Sequence, residues 1–120
     1  MSNQNFPIFR SALELCVYIE TIVKGFDKYH KYTIGEDMRK FSKDLLFIIN
    51  RVGLAKDKVR VLTRLRDRCE DMKMLLLIAK ELQAFKSFKQ FEYSSKLSVD
   101  VCKQSQAWLG SMARVSSSYA

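Results

Sequence analysis

Residues Leu62–Ala79 read LTRLRDRCEDMKMLLLIA, and this stretch decides the fold. Leu62, Leu65, Cys69, Met72, Leu76 and Ala79 alternate steps of three and four without a slip. That rhythm puts them on one stripe of a helix, the seam of a helical bundle or coiled coil. The helix is expected from about Ala55 to Phe85. Its opposite side changes character along its length. Lys56, Arg60, Arg64 and Arg68 step by four through the first half, and Met74, Leu75, Ile78, Leu82 and Phe85 gather on the second. A helix apolar on two sides must bury the second somewhere, and in a short chain self-association is the simplest answer. The alternative is a central helix whose two sides both pack within one subunit.

The flanking segments supply three more helices. Pro7, with no N–H to lose in a first turn, opens a helix in which Ile8, Leu15, Ile19, Ile22 and Phe26 share a face with Ala12, Cys16 and Val23, and Gly25 is its natural stop. Residues 27–32 read as a polar, aromatic connection. Thr33-Ile34-Gly35-Glu36 fits a capping box, which starts a helix carrying Met38, Phe41, Leu45, Leu46, Ile48, Ile49 and Val52 and ending between Asn50 and Gly53. Ser87-Phe88-Lys89-Gln90 fits a second box. Behind it Phe91, Ser94, Ser98, Val101, Ser105, Trp108 and Met112 follow one stripe, with Leu97, Cys102 and Leu109 beside it. Gly110 is a possible break, and the tail from Ser116 is expected to fray. The expected architecture is all-α: one up-down-up-down four-helix bundle domain spanning residues 1–120, oligomerising through its long third helix.

Composition agrees. One Pro and four Gly in 120 residues are too few breakers for a many-turned β protein. One His and three widely spaced Cys leave little for a metal centre or a His-based enzyme, so no metal, cofactor or catalytic residue is assigned. Cys16, Cys69 and Cys102 are expected as buried, reduced thiols. His30 reads as a turn histidine near Asp27. There is no Glu-x-x-His pair, Gly-rich phosphate loop or nucleophile elbow. MSNQNF at the start lacks the pattern of a signal peptide, and the longest apolar runs, Leu45–Ile49 and Met74–Ala79, fall far short of a membrane span, which predicts a cytoplasmic protein without a membrane partner.

The net charge of +8 is unevenly spread. Residues 51–68 hold Arg51, Lys56, Lys58, Arg60, Arg64, Arg66 and Arg68 against Asp57 and Asp67, a net +5. Guanidinium forks suit phosphate oxygens, and a rigid helix presents them at about 6 Å intervals, close to the phosphate spacing of a nucleic-acid strand. With Lys73 these residues are the candidate nucleic-acid-binding set. No base-reading motif accompanies them, so recognition should rest on backbone and shape. The same cations also suit an acidic protein partner, or a solvated face with pairs such as Arg64–Asp67 and Arg66–Glu70.

The chain resembles the accessory variability determinant proteins of diversity-generating retroelements, which are related to the four-helix proteins of 23S rRNA intervening sequences. The resemblance runs from about Phe9 to Met112. Its carriers are Lys31-Tyr32-Thr33-Ile34-Gly35-Glu36 with Arg39, the Leu-rich run from Leu65-Arg66 to Ala79-Lys80-Glu81-Leu82, and Lys89-Gln90-Phe91-Glu92 followed by Leu109-Gly110-Ser111. It departs where Asp27 replaces a usual Pro and where Met112 takes the slot of a closing Trp, with Trp108 one turn earlier. Residues 43–50 lack the Ser-Ile-Pro motif of the intervening-sequence branch. The resemblance implies a non-enzymatic, barrel-shaped homopentamer that binds nucleic acid, associates with the element's reverse transcriptase, and assists copying of a template RNA into error-bearing cDNA. Over the heptad helix it points to Arg60, Arg64, Arg66, Arg68 and Lys73. The alternative is an intervening-sequence-type bundle that binds an acidic protein, without a reverse transcriptase.

Overall fold

A computed structural model describes residues 6–118, with side-chain surroundings described through Val115. The described chain is helical: α1 Pro7–Val23, α2 Lys28–Lys31, α3 Ile34–Val52, α4 Lys58–Glu81 and α5 Phe88–Ser118. The four long helices pack in the cyclic order α1–α3–α4–α5, which leaves α1 and α4 on one diagonal. The bundle is elongated, 52 × 25 × 21 Å. This is the all-α four-helix bundle that the periodicity predicts.

The seam of α4 lies where the spacing put it. Leu62, Leu65, Cys69, Met72, Leu76 and Ala79 are all buried. They meet Leu15, Ile19 and Val23 of α1, Met38, Leu45, Ile48, Ile49 and Val52 of α3, and Val101 and Cys102 of α5 in one core. Ser94, Ser98 and Ser105 on α5 are buried too. The Ser94 hydroxyl donates to the Gln90 and Phe91 carbonyls, and Ser105 to Cys102. A short side chain that satisfies itself on its own helix lets a neighbour approach closely.

Four details correct the sequence reading. The connection after α1 contains the one-turn α2, started by the Asp27 carboxylate, which accepts from His30 N–H at 3.0 Å. The Thr33 capping box does not form: the hydroxyl donates back to the Tyr29 carbonyl at 2.8 Å, and Glu36 pairs with Arg39 instead. α4 is shorter than expected at both ends. Asp57 caps it by accepting from Arg60 N–H at 3.1 Å, and it stops at Leu82–Gln83 rather than running on to Phe85. α5 passes through Gly110 without a break and continues through Ser118, although the tail from Ser116 was expected to fray; the last two residues lie outside the described ones. The Ser87 box forms in one arm only: Ser87 Oγ accepts from Gln90 N–H at 3.4 Å, whereas Gln90 Oε1 accepts from Lys86 N–H at 3.0 Å, one residue before the cap.

Candidate nucleic-acid interface

α3 and α4 form an antiparallel hairpin, so the end of one helix and the start of the other share a corner of the bundle. Arg51 sits in the last turn of α3, Lys56 in the connection, and Arg60 and Arg64 in the first two turns of α4. All four are exposed. Among the described residues none of them makes an ion pair, so each carries an unneutralised charge that can meet a phosphate.

The other members of the predicted set are engaged. Lys58 Nζ donates to the carbonyls of Val52 at 3.0 Å and Ala55 at 3.1 Å, which closes the α3 C-terminus with a cation. Arg66 bonds Asp67 at 3.2 Å, and Lys73 lies 3.2 Å from Glu70. That bond to Glu70 raises the Lys73 ammonium above its usual value. Arg68 stacks 4.1 Å over the Phe41 ring and lies 3.8 Å from Asp44 and 3.9 Å from Asp71, which ties α4 to α3. Arg66 and Lys73 remain on the surface, whereas Lys58 and Arg68 serve the hairpin. The pair Arg64–Asp67 is not formed.

The predicted contact face on the second half of α4 is partly rearranged. Met74, Ile78 and Leu82 are exposed, Met74 to 57%. Leu77, which the sequence reading omitted although it stands three residues after Met74, is exposed beside them. Leu75 is half-buried against the core. Phe85 does not belong to this face: it leaves the helix and packs edge-on against Phe26 at 5.7 Å and Phe91 at 5.8 Å. A second apolar ridge, Leu13 and Val17 on α1, was not foreseen. It lines a groove of about 460 Å³ with Arg10, Tyr18, Thr21 and Tyr93.

Cys16, Cys69 and Cys102 are buried and unbridged. The hydrogen bond with Cys102, followed by burial, pushes the Cys69 thiol well above its usual value. The same bond lowers Cys102 against its own burial. A protonated buried thiol such as Cys69 is a poor nucleophile. His30 is half-buried, with Nε2 3.8 Å from Asp27 and Nδ1 without a hydrogen-bond partner. No group of three His, Cys, Asp or Glu side chains among the described residues could hold a metal ion. No described helix is long and apolar enough to cross a membrane. Compared with known proteins, the chain matches no family model and no curated protein.

Proposed function

We propose that this protein is a non-catalytic, oligomeric nucleic-acid-binding subunit whose cationic corner, Arg51, Lys56, Arg60 and Arg64, grips phosphates. The observation that carries this reading is four neighbouring exposed cations, none of them in an ion pair among the described residues. Cations on a surface with no carboxylate assigned to them attract a polyanion and release its counterions on binding. The family resemblance supplies the setting: a retroelement reverse transcriptase as protein partner, with template RNA or cDNA as the nucleic acid. Arg60→Glu with Arg64→Glu should abolish binding to an RNA duplex and leave the helical signal and melting temperature unchanged, since both side chains are exposed. Binding retained at full strength would overturn this reading. Binding to an acidic protein alone would favour the intervening-sequence type of partner.

Self-association belongs to the same proposal. Met74, Leu77, Ile78 and Leu82 on α4 and Leu13 and Val17 on α1 form two different apolar faces on diagonally opposed helices. Two unlike faces suit head-to-tail contacts, which give a ring when the rotation between copies closes, better than a two-fold dimer. The number five comes from the resemblance.

A further inference from the structure

The end of the bundle that carries α2 lies away from the cationic corner by the length of α4, 24 residues or about 36 Å. Here the α1–α2 turn and the α4–α5 connection touch. A Cβ on Gly25 would stand 3.8 Å from Lys86 Cγ. Phe26, Phe85, Phe91 and Phe88 run in a chain of ring contacts 5.7–5.8 Å apart from one connection to the other. The last ring of the chain is 63% exposed, a large apolar surface at the first position of α5.

Beside it opens a shallow cleft of about 220 Å³ walled by Phe85, Phe88 and Phe91, with Lys80, Gln83 and Ser87 completing its lining. Lys80 Nζ lies 5.1 Å from the Phe91 ring centre. Lys24, Lys28, Lys86 and Lys89 stand exposed at this end and make no ion pair among the described residues. Several carboxylates of this end are engaged: Asp27 caps α2, Glu36 pairs with Arg39, and Glu81 lies 3.9 Å from Lys80. Tyr29 and Tyr32, more than half exposed, carry aromatic surface across the same end. Aromatic walls, an amide and a hydroxyl in the lining, and flanking ammonium groups together match a flat heterocycle tethered to phosphates.

We propose that this cleft takes an unpaired nucleobase, so that the α2 end is a single-strand-binding surface separate from the cationic corner. The proposal rests on the nucleic-acid reading above. The base stacks on Phe88, and the lysines hold the neighbouring phosphates. A duplex, whose bases are already stacked, gains nothing from Phe88.

The test measures the affinity of the full chain for oligouridine and for an RNA duplex of equal length. Phe88→Ala should weaken oligouridine binding about 10-fold, leave duplex binding unchanged, and be rescued by Phe88→Tyr. Equal loss on both probes, or no loss on either, would overturn the cleft while leaving phosphate binding at the corner intact. A drop in oligomer mass caused by Phe88→Ala would assign the cleft to a second copy of the chain and overturn the proposal. Failure of the unmodified chain to bind either probe would overturn the cleft and the nucleic-acid reading together, which sets that outcome apart from the others.

Discussion

Gln83 has a backbone φ of 59°, in the left-handed region that L side chains avoid. Its position explains the strain. α4 ends at Leu82 in a Schellman turn, where Gln83 N–H donates to Lys80 O at 2.9 Å and Ala84 N–H to Ala79 O at 3.0 Å. That turn wants glycine at this position. Gln83→Gly should therefore raise stability by about 1 kcal/mol, read as a higher urea midpoint. An unchanged or lower midpoint would mean that Gln83 repays its conformation through contacts of its own. The same residue accounts for the error over Phe85. A run of apolar residues continues through the end of α4, so the periodicity carried Phe85 onto the helix face. Nothing short of the turn itself reveals that the chain reverses before reaching it. The engagement of Lys58 and Arg68 was illegible for a related reason: sequence counts charges but does not say which of them face carbonyls, carboxylates or rings.

At the scale of elements, helix positions were more legible than their ends. α1 and α3 fall where Pro7, Gly25 and the Thr33–Gly53 limits placed them, and the Ser87–Gln90 signature marks the start of α5, with its Gln90 arm closing on Lys86 N–H. The Thr33 signature failed because α2 intervenes: its last carbonyls need a donor, and the Thr33 hydroxyl answers Tyr29 instead of capping α3. Asp57 was a legible cap that the heptad pattern concealed by continuing back through it. Gly35 has a role beyond its place in the motif. A Cβ there would stand 2.8 Å from Val23 Cγ1 and 2.9 Å from the His30 carbonyl oxygen. Backbone cannot yield as a flexible side chain can, so the close approach of α1, α2 and α3 depends on a residue without a side chain. Gly35→Ala should cost about 2 kcal/mol, measured by chemical denaturation. A neutral result would show that α2 can lift away from α3 without loss.

For the whole molecule, the bundle followed from its core stripes, because a continuous apolar seam must be buried whatever its caps do. The cyclic order of the helices is that of the up-down-up-down bundle expected from the short connections, whereas the exposed Leu13–Val17 ridge on α1 was not legible, since the stripe read there covers only the core face. Ile78→Glu with Leu82→Glu should give a folded, smaller species in sizing experiments. Retained mass would remove α4 from the assembly. The basic stretch was legible as a region, and its exposed cations without an ion pair among the described residues, Arg51, Lys56, Arg60 and Arg64, lie at one end of the α3–α4 hairpin, where we propose the phosphates bind. The most direct test is the slope of log affinity against log salt for an RNA duplex. If Arg51, Lys56, Arg60 and Arg64 each displace a counterion, the unmodified protein should give a slope of roughly −3 to −4, and Arg60→Gln with Arg64→Gln should make it shallower by about 2. A salt-independent affinity, or a slope that the double substitution leaves unchanged, would contradict phosphate binding at this corner.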